Sequence, residues 1–399
     1  MQRSPAEHAN QQMVSRLIAE GAIWSRALIA AFRATPRHCF LDRIFTFIRK
    51  SNRWRELMVR EPDADQIRLL YLDRALITRL GGEGRGITPV PISSSTQPSL
   101  MAQMLEDLKL EAGLSVLEVG AGTGYNAALL AHVVGPGLVT SVDVEKQVLA
   151  EAWDHLRKFP DRQVALKHAD GRCGDQEGAP FDRIIVTAAT PDLEPAWLEQ
   201  LAKRSLLLAP LALAPGLAFV IRGTVTDGLF HGRLTRAAYF MPLRAEGEVG
   251  ASDIESLAPG GDLRTLPAPW AGWFDRRRSR ISWLGFSQSL AFLGLVHGMG
   301  VHYRVIAAGQ PEYGVSQGDS LCWYGPQEWQ VNGESGRDLG RSLWRMFLDA
   351  GGPRPTEFRM VASPEGGFPP RRRAGCLRRG PRCLQLWELP ETRDRPGWI

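Results

Sequence analysis

The stretch ISSSTQPSLMAQML at residues 92–105 sets four hydroxyl side chains, Ser93, Ser94, Ser95 and Thr96, directly before Gln-Pro and an apolar helical pattern. Hydroxyls placed there have two uses. One can cap the helix that Pro98 opens, as an N-cap or ST-turn worth about 1 kcal/mol. Several together can grip an oxygen-rich ligand, because hydroxyls orient a carboxylate without neutralising it as a paired Lys or Arg would. Four in succession exceed what a single cap needs. The helix amino-terminus adds N–H groups and a dipole that also favour an anion.

A second group of residues points to the ligand. VLEVGAGTG puts Gly120, Gly122 and Gly124 between a strand and a helix, where glycine lets the backbone turn sharply and a ligand approach closely. The G-x-G-x-G spacing differs from the G-x-G-x-x-G of dinucleotide binders. Asp143 closes the strand VTSVD, and Asp170 with Gly171 closes KHADG. In an open sheet these points fall at the carboxyl ends of neighbouring strands, where ligands bind and where an acid can hold ribose hydroxyls. A ligand with a ribose and an adenine but no pyrophosphate suits the layout, which is S-adenosyl-L-methionine. The plainer alternative is that Asp143 and Asp170 only cap helices. His38, His132, His155 and His168 have no second ligand at metal spacing, so no metal site is expected. His297 and His302, in VHGMGVHYRV, are a weaker option for substrate contact.

Elements that position these residues follow from periodicity. Residues 10–33 have helical spacing broken at Gly21, and residues 40–90 read as mixed helical material with a Gly-rich turn. From residue 98 onward, short apolar runs alternate with helical patterns, and the run LLLAPLALAPGLAFVI at 206–221 reads as buried strands with a turn. The expected fold is α/β: a Rossmann-like class I methyltransferase with a mainly parallel sheet, plus a smaller mixed C-terminal domain. Expected boundaries are a helical region and insert at 1–90, the cofactor-binding core at 91–245, a Gly-, Pro- and acid-rich linker at 246–268, and a Trp-rich substrate-recognition domain at 269–399.

The chain has 399 residues, enough for two or three domains, with 44% hydrophobic and 23% charged residues. Its five cysteines are scattered and odd in number, which argues against a disulfide framework and for reduced thiols. The polar start MQRSPAEHANQQ lacks a signal peptide, no run suits a membrane span, and the expected location is cytoplasmic. Of the net +5 charge, much sits in two arginine clusters, Arg276, Arg277, Arg278 and Arg280, and Arg371, Arg372, Arg373, Arg378, Arg379 and Arg382. These are solvated faces or docking points for an acidic peptide. RNA is disfavoured as a partner, since no RNA-binding signature accompanies them.

Residues from about 93 to 225 resemble the protein-L-isoaspartate O-methyltransferases. The matching pieces are STQPSLMAQM, VLEVGAGTGYNAALLA, HADGRCG and APFDRIIVTAA, with AAFRATPRHCFL and YLDRALI upstream. The resemblance implies Thr96 at the family's active-site serine, with Ser95 and Ser94 beside it as the catalytic set. It implies a cofactor-binding set of Ser93, Ser94, Ser95, Thr96, Glu118, Gly120, Ala121, Gly122, Thr123, Asp143, Val144, Asp170 and Gly171. The glycine loop takes the methionine side, Asp143 the ribose, and Asp170 with Gly171 the adenine.

This chain departs from the family in having threonine at position 96, Ser99 after Gln-Pro, an insert near 46–68 and a segment after about 245 without counterpart. The hydroxyl motif joined to an extension looks most like a divergent branch. Its members act on ribosomally made, modified peptides such as lanthipeptides, lasso peptides and graspetides. For this branch the resemblance implies methylation of an aspartate side chain in a cyclised precursor peptide, followed by collapse to a succinimide that either persists or opens to isoaspartate. The alternative is general repair of isoaspartyl residues.

Overall fold

A computed structural model describes residues 4–82, 89–246, 248, 262–277, 282–306, 311–364 and 376–389. The chain forms two compact units. One comprises Met1–Ala189, Ala196–Ala209 and Phe240–Ser252; the other comprises Thr190–Pro195, Pro210–Tyr239 and Asp253–Ile399. The second unit thus takes residues 210–239, which the sequence reading gave to the core, and the expected linker lies largely outside the described residues.

The first unit opens with α1 (Pro5–Ala19) and α2 (Arg26–Ala34). A reciprocal capping box starts α1, with Glu7 N on Ser4 Oγ and Ser4 N on Glu7 Oε2. Gly21, at φ 67°, ends it. Next come β1 (Arg43–Ile48), β2 (Arg53–Met58), α3 (Ala64–Leu70), β3 (Leu76–Gly81) and β4 (Val90–Ser95). Their strands pair antiparallel in the order β2-β1-β3-β4. The expected mixed helical material at 40–90 is therefore largely a sheet. Its pairing spans residues far apart in sequence, which local helical spacing does not register.

Strand and helix then alternate as expected: α4 (Pro98–Asp107), β5 (Val116–Val119), α5 (Tyr125–Val134), β6 (Val139–Asp143), α6 (Lys146–Leu156), β7 (Val164–His168) and β8 (Phe181–Val186). A short α7 (Pro195–Glu199) precedes β9 (Leu201–Ala214), so the helix read in PAWLEQLA stops early. Parallel pairing in the order β9-β8-β5-β6-β7 reverses direction beside β5. That reversal is the crevice of a doubly wound sheet. Val116, Leu117 and Val119 are fully buried, as a strand covered on both faces requires.

In the second unit, β10 (Leu217–Thr226) and β11 (Leu229–Ala237) form a hairpin; β12 (Arg264–Pro267), α8 (Ala271–Arg277), α9 (Trp283–Val296) and β13 (Gly300–Val305) follow. The rest is β14 (Pro311–Gln317), β15 (Ser320–Tyr324), β16 (Glu328–Val331), α10 (Gly333–Asp349), β17 (Arg359–Ser363), β18 (Cys376–Arg379) and β19 (Leu384–Glu388). One sheet runs β12-β16-β15-β14-β13, all antiparallel. Fully buried Trp270 meets Phe286, Tyr324, Trp329 and Trp344, so these tryptophans form a core.

Within this unit His302 shares a hydrogen bond with Ser316 Oγ, and His297 Nδ1 lies 2.8 Å from Leu293 O. Arg378 donates to Gln385 and Arg382 pairs with Glu194. Arg278, Arg280, Arg371, Arg372 and Arg373 lie outside the described residues, as do the side chains of Arg276, Arg277 and Arg379. No helix among the described residues is long and apolar enough to cross a membrane.

Candidate active site

The four hydroxyl residues do not cap α4. Ser93, Ser94 and Ser95 belong to β4, and the cap position falls to Gln97, which makes no side-chain cap bond. Pro98 excludes a helical conformation at Gln97, whose ψ is 126°. The orphan N–H groups at the start of α4 find another anion: Ser99 N donates to Asp73 Oδ1 at 2.8 Å. Gln97 Nε2 and Ser99 Oγ donate to Asp73 Oδ2 at 2.9 and 2.7 Å. Burial pushes the Asp73 carboxyl up, but these bonds and the charge of Arg16 outweigh it and hold its pKa below the usual range. A ligand anion expected at this helix terminus is therefore replaced by a residue of the chain itself.

Alternation along β4 turns Ser93 and Ser95 inward, and both are buried. Ser93 Oγ accepts from Thr78 Oγ1 at 3.1 Å, and Ser95 Oγ accepts from Arg37 Nε at 3.2 Å. Arg37 is fully buried. Its Nη1 donates to Leu70 O and Leu72 O, and its Nη2 to Arg74 O, Ser95 O and Thr96 O, at 2.9–3.2 Å. Burial pushes its pKa down to about 10, so it is still a cation at neutral pH. Among the described residues the hydroxyls of Ser94 and Thr96 have no hydrogen-bond partner, and both line the cleft.

Opposite β4 lies the loop after β5. Gly120, Gly122 and Gly124 have φ of 100°, 52° and 80°, which glycine adopts without strain. A Cβ on Gly120 would stand 2.5 Å from Thr187 Oγ1, while one on Gly122 would meet only Ser94 O at 3.6 Å. The hydroxyl strand and the glycine loop therefore face each other closely. His155, one of the isolated histidines, sits 2.9 Å from Thr123 O and supports the loop from α6.

Two acids stand below the loop. Glu118 is completely buried and takes hydrogen bonds from Asn126 Nδ2, at 2.7 Å, and Ser141 Oγ. Burial raises its pKa to about 7 despite those donors. Asp143 accepts from Gly122 N at 3.1 Å and from Glu145 N at 3.0 Å; burial raises its pKa too.

One cleft gathers most of the expected residues. Ser93, Ser94, Ser95, Thr96, Glu118, Gly120, Ala121, Gly122, Thr123, Asp143, Val144 and Gly171 all line it. Asp170 does not. Its carboxylate accepts from Arg172 N and Nε, and it caps the short turn Gly171–Cys173, which was the plainer alternative.

Arg37, Asp73 and Arg244 escaped the sequence reading. The first two lie in ATPRHCFL and YLDRALI, segments noted upstream, but their partners are distant in sequence. Arg244 lines the cleft and donates to Ile92 O at 3.1 Å and Glu145 Oε1 at 3.2 Å. Among the described residues no cluster of His, Cys, Asp or Glu could hold a metal.

The residues suit a nucleoside sulfonium. Each oxygen of Asp143 has taken one N–H, leaving lone pairs for a pair of ribose hydroxyls. Gly122 leaves the cleft wall open beside it. With the sheet reversal at β5, this defines a class I methyltransferase fold using S-adenosylmethionine.

Residues 74–246 match the family described as Protein-L-isoaspartate(D-aspartate) O-methyltransferase (PCMT). A Protein-L-isoaspartate O-methyltransferase of Methanococcoides burtonii is 32% identical over 160 residues, 39% of this chain and 78% of the relative. One from Yersinia pestis (strain Pestoides F) is 37% identical over 166 residues, 41% of this chain and 77% of the relative. One from Thermotoga maritima is 38% identical but matches only 44% of its own length. The chain belongs to the protein-L-isoaspartate O-methyltransferase family.

A solved structure of a protein of that name, 21% identical, matches with a TM-score of 0.51 over 88% of this chain and 96% of its own. The first 245 residues are only about three-fifths of this chain. The match in fold must therefore extend into the segment expected to have no counterpart.

Proposed function

We propose that this protein transfers a methyl group to the free carboxylate of isoaspartyl residues in peptides and proteins. The observation that carries the reading is the approach of β4 to the glycine loop, with Ser94 O 3.6 Å from where a Gly122 Cβ would stand. An acceptor held by the Ser94 and Thr96 hydroxyls then lies beside a methyl donor held by the loop. Bound in the cleft, S-adenosylmethionine supplies an electrophilic methyl on sulfur. Asp143 is suited to its ribose, Gly120–Gly122 to its methionine end, and Gly171 to its adenine.

The chain's own work is alignment. The free carboxylate of an isoaspartyl residue is an α-carboxyl with a reference pKa of about 3.5, already ionised at neutral pH, so no general base is needed. Thr96 and Ser94 donate hydrogen bonds that leave one carboxylate oxygen aimed into the cleft. Once the ester forms, the following backbone nitrogen attacks its carbonyl, expels methanol and closes a succinimide. Water then opens that ring. This last chemistry belongs to the substrate.

A second reading is esterification of an aspartyl side chain in a cyclised ribosomal peptide. It is favoured by the departure at Thr96, which lines the cleft on the acceptor side. The C-terminal extension no longer argues for it, since an isoaspartate methyltransferase of similar fold spans most of this chain. Mass spectrometry after incubation with the methyl donor separates the two. A short linear isoaspartyl peptide should gain one methyl, and its aspartyl isomer should not. Methylation of a cyclised aspartyl peptide alone would overturn the isoaspartyl assignment.

A further inference from the structure

We propose that Arg37 is the positioning residue for the acceptor carboxylate, turning the Ser95 and Thr96 carbonyls out of its path and supplying the buried positive charge that draws it in. This rests on the carboxylate-acceptor reading above.

Three observations converge on Arg37. First, it is fully buried, and its six acceptors are five backbone carbonyls and one hydroxyl, all neutral. Among the described residues it makes no ion pair. A buried cation without a counterion is costly and persists where something else compensates it. The Asp73 carboxylate acts on it electrostatically but is committed to Gln97 and Ser99.

Second, three of its bonds end on Ser95 Oγ, Ser95 O and Thr96 O, the turn where β4 becomes α4. Carbonyl oxygens left pointing into the cleft would repel an anion. Turned onto Arg37, they cannot. Third, Ser95 and Thr96 line the cleft, so the turn that Arg37 holds is the one that presents the Thr96 hydroxyl to a ligand. A unit charge within about 8 Å of a carboxylate in a partly screened interior shifts its affinity about tenfold or more.

The test is a cycle between the residue and the charge on its ligand. Wild type, Arg37→Lys and Arg37→Met, each saturated with S-adenosylhomocysteine, are titrated calorimetrically with an isoaspartyl peptide and with the same peptide bearing a carboxamide in place of the free carboxylate. Wild type should prefer the carboxylate at least tenfold. Arg37→Met should lose that preference while binding S-adenosylhomocysteine within about threefold of wild type. Arg37→Lys should recover part of the preference but less of kcat, because three donors on one nitrogen cannot span the six acceptors that the guanidinium fork reaches.

A carboxylate preference unchanged in Arg37→Met would overturn the proposal, as would equal loss of both peptides and of S-adenosylhomocysteine in a folded variant. If both variants unfold, Ser95→Ala, which removes one of the six acceptors, should still raise the acceptor KM several-fold with S-adenosylmethionine KM unchanged; no selective rise would count against the role. Wild-type indifference to the isoaspartyl peptide would sink the substrate reading alone. The same comparison with an aspartyl peptide then decides Arg37. No carboxylate preference for either peptide sinks both.

Discussion

Asp73 and Ser99 are joined twice, Ser99 N to Asp73 Oδ1 at 2.8 Å and Ser99 Oγ to Asp73 Oδ2 at 2.7 Å. A carboxylate from the segment before β3 thereby serves as the anionic cap of α4, the helix that follows the hydroxyl strand. The strand and its helix are thus tied to one another through residues 70–74, the same segment that Arg37 grips through Leu70 O, Leu72 O and Arg74 O.

Asp73→Asn should lower stability by about 1 kcal/mol at neutral pH, the usual worth of a lost cap and helix-dipole partner. The folded pKa of Asp73 is depressed, so its contribution is present above the unfolded value of about 3.9 and disappears as pH falls through the lower folded value. Thermal unfolding at pH 7 and at pH 3 or below checks this. Melting temperatures of variant and wild type should differ at the first pH and converge towards the second. A gap that stays constant would assign the effect to packing instead.

Thr96→Val keeps shape and removes the hydroxyl, which has no partner among the described residues and lines the cleft. Turnover should fall ten- to a hundredfold, on the order expected for losing one aligned hydrogen-bond donor at a reacting group. S-Adenosylhomocysteine binding and melting temperature should change little. Thr96→Ser should restore most of the activity. Wild-type turnover in Thr96→Val would remove Thr96 from the site.

How much of this was legible in the sequence depends on how local each feature is. The glycine loop, Asp143 and the parallel strands were readable because each is a short run whose residues are buried or turned by their immediate neighbours. Residues 92–96 were harder. Ser and Thr signal caps and turns, but here they pair with β3, Ser94 opposite Ile77 and Ser95 opposite Leu76. The hairpin of β1 and β2 was missed because RIFTFI groups its apolar residues in pairs instead of alternating them, and because Phe47, Ile48 and Met58 stay exposed. Arg37 was invisible in principle: its acceptors lie 33 to 59 residues away. Asp170 went the other way: its carboxylate caps the turn Gly171–Cys173 and does not line the cleft.

Asp143→Ala should separate cofactor binding from chemistry. The carboxylate is held by Gly122 N and Glu145 N, so its loss strips the loop of one anchor and the cleft of one of its two acids. The KM for S-adenosylmethionine should rise tenfold or more, with the KM for the acceptor peptide changing less, as for a lost charge-assisted bond. Asp170→Ala, whose side chain faces Arg172 and not the cleft, should raise it far less. Equal effects from the two substitutions would contradict the placement of Asp143 alone in the cleft.

Glu118 gives the chain a pH-dependent stability of unusual sign. A buried carboxyl with a folded pKa of about 7, raised from 4.5, holds its proton when the unfolded chain has already lost it. Its stabilising contribution is therefore complete below the unfolded value and is lost as pH rises through the folded one. Between pH 4.5 and 7 this amounts to about 3 kcal/mol as an upper figure for one group. Glu118→Gln keeps the shape and an acceptor for Asn126, while the Ser141 hydroxyl rotates to accept from the new amide. Urea unfolding from pH 5 to 8 should show wild type losing stability relative to Glu118→Gln across that interval. Parallel curves would mean that Asn126 and Ser141 hold the carboxylate ionised throughout, and that desolvation is not the dominant influence at this position.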